Sequence, residues 1–272
     1  MVGMQSNNPI LSRSDAFKGG GYATFGSASG AATSTARTQQ GPSLEDLYAS
    51  PSAGPAQTGR MTYDDVVIRT GGMLTVVVAA AAVAWVLQLG ALAIPFAIAG
   101  LVLGLVNAFK REPSPALMLA YAGVQGVFLG AISQMFETAF NGIVVQAVLA
   151  TLTTFAVMLG LYRSRVIRAT AKFKKVMLGA IMGYALFSLI NLVLVLVTGG
   201  GLRGGAFGLL IGAVGAVLAA LSLVLDFDFI EQGVRNGIPQ RYAWTAAFGL
   251  VVTLIWLYIE FLRILSILRG DD

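Results

Sequence analysis

The sequence predicts an all-α membrane protein with seven transmembrane helices, preceded by a disordered N-terminal tail. Three observations predict it. Charged residues make up 11% of the 272 residues and the mean hydropathy is +0.77, whereas a soluble domain carries roughly 25% charged residues. Seven apolar segments are each long enough to span a bilayer core about 30 Å thick, which takes roughly 20 residues of helix. The composition also changes sharply near residue 60, dividing a tail (1–60) from a membrane domain (61–270).

The tail comes first. Gly19-Gly20-Gly21, Ser27-Ala28-Ser29-Gly30 and Pro51-Ser52-Ala53-Gly54-Pro55 are small and polar. Such stretches bury too little apolar surface to offset chain entropy, so the tail is read as disordered and cytoplasmic. It lacks the apolar core of a secretory signal. From Met61 to Arg69, Tyr63, Val66 and Val67 alternate with Asp64 and Asp65, the pattern of a short amphipathic lead-in.

The spans follow at about 71–89, 91–109, 115–136, 142–162, 176–198, 204–230 and 243–265. The first two are separated only around Leu89-Gly90 and form a tight hairpin. Pro113 and Pro115 punctuate the start of the third, where proline is tolerated. Small residues recur at four-residue spacing in Gly100/Gly104, Gly126/Gly130, Gly179/Gly183 and Gly208/Gly212. That spacing lets helix backbones approach closely and predicts a compact bundle.

Orientation follows from the cations. With the N-terminus inside, fifteen of the eighteen Lys and Arg lie in the tail and inner loops, six of them between Arg163 and Lys175. Only Arg203, Arg263 and Arg269 fall outside. The expected topology is a multi-pass protein of a bacterial plasma membrane, N-terminus cytoplasmic and C-terminus outside. The net charge of +5 is therefore a topology signal against lipid headgroups, with no nucleic-acid partner implied.

The chain has no cysteine and no histidine. That removes thiol nucleophiles, the usual zinc and iron–sulfur sites and Ser-His-Asp triads together. No Walker or dinucleotide fingerprint and no intramembrane-protease motif occurs. No enzyme and no cofactor is predicted.

Chemistry is sought instead among acids at membrane depth, each of which costs at least ~2.5–3.5 kcal/mol to insert. Nine of the thirteen acids lie in the tail, the loops or the extreme C-terminus, leaving Asp226, Asp228, Glu231 and Glu260. Asp226 is the deepest of its group, while Asp228 and Glu231 share a face at the inner boundary. Glu260 has Arg263 three residues on, and it stands 17 residues beyond Ala243, roughly 25 Å along a straight helix. That distance puts it across the membrane from Asp226. If the two acids met, they could not both ionise cheaply and would hold one proton between them. Such a latch would answer to protons or to a hard cation such as Ca²⁺. Gln125, Ser133, Asn141, Gln146, Ser188, Asn191 and Thr253 are further polar residues within spans, a placement typical of helix–helix contacts.

Three short motifs, in order, resemble the Bax inhibitor-1 (TMBIM, YccA-like) family. They are Tyr121-Ala122-Gly123-Val124-Gln125-Gly126-Val127-Phe128-Leu129-Gly130 in the third span, Leu225-Asp226-Phe227-Asp228-Phe229-Ile230 in the sixth, and Leu257-Tyr258-Ile259-Glu260-Phe261-Leu262-Arg263 in the last. The resemblance covers roughly residues 61–268, and the long Gly/Ser tail with Asn8-Pro9 is similar to the actinobacterial branch. It implies six helices wrapping a central C-terminal helix, and a pH-sensitive calcium leak gated by a carboxylate pair. Asp226 matches the first acid in one alignment and Asp228 in another; Glu260 matches the second. It also implies an alternative role, a non-conducting regulator that binds other membrane proteins such as a membrane-anchored AAA protease.

Two residues and one spacing depart from the family pattern. Glu260 stands where the family has Asp, and Gln125 where it has Glu. The 34 residues from Asp226 to Glu260 exceed the usual separation by about two helical turns. Either the 231–242 connection absorbs the surplus, or Thr253 takes the level of the second acid.

Overall fold

A computed structural model describes residues 59–202 and 204–270 of the chain. The predicted disordered tail, apart from Gly59 and Arg60, lies outside the described residues, as does Arg203. Seven α-helices run through the rest: α1 Tyr63–Val86, α2 Ala93–Phe109, α3 Pro115–Ala139, α4 Ile143–Arg163, α5 Ala171–Thr198, α6 Gly205–Arg235 and α7 Ala243–Gly270. All seven are long and apolar enough to cross a membrane, and no named strand occurs among the described residues.

Local chemistry sets the boundaries. Thr62 and Asp65 form a capping box, in which the Thr62 hydroxyl accepts from the Asp65 N–H (3.1 Å) and the Asp65 carboxylate accepts from the Thr62 N–H (3.1 Å). The lead-in and the first span are consequently one continuous helix. It ends at Val86, and Gln88, with a φ of +54°, turns the chain into the short 3₁₀ segment Leu89–Leu92 and the α1–α2 hairpin. Pro115 opens α3, and Gly142 (φ +79°) and Gly199 (φ +73°) mark the start of α4 and the end of α5.

The C-terminal helix α7 is central. It packs against α6, α1, α4 and α3, while α2 and α5 complete the wrap behind α3 and α6. Burial follows the same order. Leu250, Val251, Leu254 and Leu257 of α7 are buried, whereas Met177 is the single buried residue of α5. Along α3, Gly126 and Gly130 lie flat against α1: a Cβ on either would strike the backbone carbonyls of Val77 and Ala81. The glycine spacing does not work uniformly, because Gly179 and Gly183 on α5 face open space.

Residues 59–61 are docked on the α6–α7 connection, although composition assigns the first two to the tail. Met61 N–H donates to Ile238 O (2.8 Å), and Gln240 N–H to Gly59 O (2.8 Å). The Gln240 side chain donates to Asp65 (2.6 Å), Arg69 donates to the Gln240 carbonyl (3.1 Å), and Met61 is 1% exposed. This clamp fixes the start of α1 beside the end of α6.

Candidate functional site

Two carboxylates, the half-buried Asp226 and the buried Glu260, occupy separate centres along the α6–α7 interface. These antiparallel helices turn near residue 238, so residues equidistant from that point face each other. Asp226 lies nine residues before Arg235, and Thr253 ten residues after Ala243. The Thr253 hydroxyl donates to Asp226 Oδ2 at 2.7 Å. One turn earlier on the same face, Gly249 makes the room, since a Cβ there would sit 3.0 Å from Asp226 Oδ1. A small residue and a hydroxyl at i and i+4 thus form a niche for one carboxylate.

Glu260 sits further along α7 and is 1% exposed. It accepts hydrogen bonds from the Tyr184 hydroxyl of α5 (2.6 Å), Arg263 (2.8 Å) and the Trp256 indole N–H (3.2 Å). Its counterpart on α6 is Gly215, where a Cβ would collide with the Tyr184 hydroxyl and lie 2.9 Å from the Glu260 carboxyl carbon. Tyr184 therefore reaches the central helix through a notch in α6, and its ring stacks at 5.4 Å on Trp256.

The Asp226–Glu260 pair implied by the family resemblance does not form. Thr253 and Glu260 are seven residues apart on one helix, about 10 Å of rise, and Asp226 is bonded at the Thr253 level. The α6–α7 connection is too short to slip the register by two turns. Glu260 keeps Arg263 as its partner, but in a buried network rather than at a surface.

The remaining candidates lie elsewhere. Asp228 pairs with Lys174 and accepts from Gln232 (2.6 Å), at the end of the bundle that carries the basic loops. Glu231, on the same face, accepts from the Tyr162 hydroxyl (2.5 Å). Gln125 lies on the α2–α3 seam, where its Nε2 donates to the Tyr121 hydroxyl (3.3 Å) and a Cβ on Gly100 would strike it. Its Oε1 is buried with no hydrogen-bond partner among the described residues. No group of three or more acidic, His or Cys side chains that could hold a metal ion occurs among the described residues.

Reading the sequence missed Tyr184, Gly215 and Gly249. Counting outward from the α6–α7 turn would have found both glycines, because it places position 249 beside 226 and position 215 beside 260. Tyr184 carried only a weak signal, as one hydroxyl in a mostly apolar helix that also holds Ser188 and Asn191.

No curated protein matches the chain at a significant level. The family model described as Bax inhibitor 1 like matches residues 8–270, which include all seven helices and both carboxylate centres. With seven bilayer-length apolar helices and a match over nearly its whole length, the chain is a multi-pass membrane protein of the Bax inhibitor 1-like family.

Proposed function

We propose that the protein is a proton-responsive cation leak, of the calcium-conducting type, in which Asp226 is the titrating group. The observation that carries this reading is a carboxylate set between α6 and the central helix α7 and bonded to a neutral hydroxyl. Ionised, Asp226 places a negative charge in the α6–α7 interface with no cation beside it; protonated, it leaves the interface neutral. The two states therefore favour different α6–α7 packing, which is what a gate requires. Carboxylate and hydroxyl oxygens also suit a hard cation such as Ca²⁺. The gate is thus a single acid with Thr253, not a carboxylate pair. In this reading the N-terminus lies inside a bacterial cell membrane and the C-terminus outside, an orientation that the cation bias of the loops supports, and no enzymatic step is assigned.

Calcium flux into liposomes holding the purified protein, at pH 6, 7 and 8, tests the reading. Wild type should show pH-dependent flux and Asp226→Asn should flatten it, while Glu260→Gln should keep the pH dependence in whatever fraction folds. Silence of all three proteins in vesicles where a control channel conducts would overturn it.

A second reading is favoured by the docked residues 59–61: a non-conducting regulator that presents its N-terminal segment to other membrane proteins, such as a membrane-anchored AAA protease. The clamp on Ile238 and Gln240 fixes where that segment leaves the bundle. Deleting residues 1–58 should abolish function under this reading and leave flux intact under the first.

A further inference from the structure

At the basic end of the bundle, an open cleft of about 890 Å³ runs between α1, the end of α4 with the loop after it, and the end of α6. Arg163, Arg165, Arg168 and Arg235 line it together with two acids, Asp228 and Glu231. Asp228 is paired with Lys174, and Glu231 is shared by Arg165 and Arg235 at 3.9 Å each. Arg163 and Arg168 have no ion-pair partner among the described residues, so the cleft keeps an excess of positive charge. Its inner wall is apolar, formed by Val66, Leu159, Phe227 and Leu250, and Val67 at the open side is 68% exposed.

A second observation concerns the backbone of the same loop. The helices α4 and α6 end in the same hydrogen-bond motif. After α4, Arg165 N–H bonds Tyr162 O and Val166 N–H bonds Leu161 O; after α6, Gly237 N–H bonds Val234 O and Ile238 N–H bonds Gly233 O. Both motifs need a left-handed residue, and α6 supplies Gly237 (φ +60°). The α4 end uses Arg165 at φ +59°, a conformation that costs a side-chain-bearing residue energy. Its one ion pair, at 3.9 Å and 67% exposed, offsets little of that cost. The arginine side chain is held at the rim of the cleft at the expense of the turn that carries it.

We infer that this cleft binds the anionic headgroup of a membrane phospholipid, with Arg163, Arg165 and Arg168 holding the phosphate and the apolar wall taking the start of the acyl chains. Arginines beside an apolar wall, with Val67 exposed at the rim, select an amphiphile over a soluble anion. Bidentate guanidinium groups suit phosphate oxygens. This goes beyond the leak reading and is read out by binding, so either can fail alone.

The test is association of phosphatidylglycerol with the full-length protein in neutral detergent micelles, followed by native mass spectrometry beside phosphatidylcholine and inorganic phosphate. Phosphatidylglycerol should bind about tenfold or more tighter than phosphatidylcholine, and Arg163→Gln with Arg168→Gln should remove about that factor. Lys110→Gln with Arg111→Gln, which deletes the same charge at the same end but outside the cleft, should change binding less than twofold. Arg165→Gly should raise the thermal midpoint and still weaken phosphatidylglycerol binding severalfold, a combination that no loss of folding produces. Equal losses from the two paired variants would reduce the site to diffuse headgroup attraction and overturn the inference. So would inorganic phosphate competing as well as the lipid, or Arg165→Gly leaving binding unchanged.

Discussion

The two carboxylates of the α6–α7 interface invite comparison because their surroundings differ in kind. Glu260 has a guanidinium at 2.8 Å, a phenol at 2.6 Å and an indole N–H at 3.2 Å, so its charge is matched and its oxygens are bonded. Asp226 has the Thr253 hydroxyl at 2.7 Å and no ion-pair partner among the described residues. An acid at membrane depth is therefore not one kind of site. Matched, it is a structural tie that draws α5 to the core; unmatched, it is a group whose protonation alters the interface it sits in.

The largest effect that can break this comparison is removal of the cation from the matched centre. Arg263→Leu removes a guanidinium at 2.8 Å from a buried carboxylate and should cost about 3 kcal/mol, read as unfolding in mixed detergent. Glu260→Gln added to Arg263→Leu should recover much of the loss, because the buried negative charge goes with the cation. A single-variant cost under about 1 kcal/mol would mean that Glu260 does not depend on Arg263.

Next in size is the α1–α3 crossing. Gly126→Ala and Gly130→Ala each drive a methyl into a backbone carbonyl of α1 and should cost about 1–3 kcal/mol, whereas Gly179→Ala on the open face of α5 should be neutral or slightly stabilising. Equal effects at all three positions would refute the close crossing. Tyr184→Phe removes one hydrogen bond to Glu260 and should cost about 1 kcal/mol. Amide exchange in α5 should rise while that in α3 stays unchanged; exchange that rose equally in both would count against a local tie.

The smallest stability change belongs to the unmatched centre. Asp226→Asn should shift unfolding by less than about 1 kcal/mol, since an amide keeps the shape and the Thr253 bond, yet it should abolish the pH dependence of flux. Thr253→Val should leave that dependence in place but move its midpoint, as the carboxylate loses its donor. A midpoint unmoved by Thr253→Val would show that the bond at 2.7 Å does not tune the group.

Much of the molecule was legible from sequence because a bilayer imposes a local rule. A helix must satisfy its own backbone and present apolar side chains for about 20 residues, so the seven spans, the α1–α2 hairpin and the Pro115 start can be read segment by segment. The candidate acids were equally legible, as rare charges in apolar surroundings. Which acid faces what is not a local property. The register of α6 against α7, set by the turn near residue 238, gives Asp226 to Gly249 and Thr253 and leaves Glu260 to Gly215. Tyr184 enters that second centre only because α6 lacks a side chain at 215. Hydropathy and charge determined that this chain is a seven-helix membrane bundle and which of its acids fall within the apolar helices. Tertiary packing alone decided that the two acids stay apart, because antiparallel helices joined by a short connection cannot slide two turns past each other.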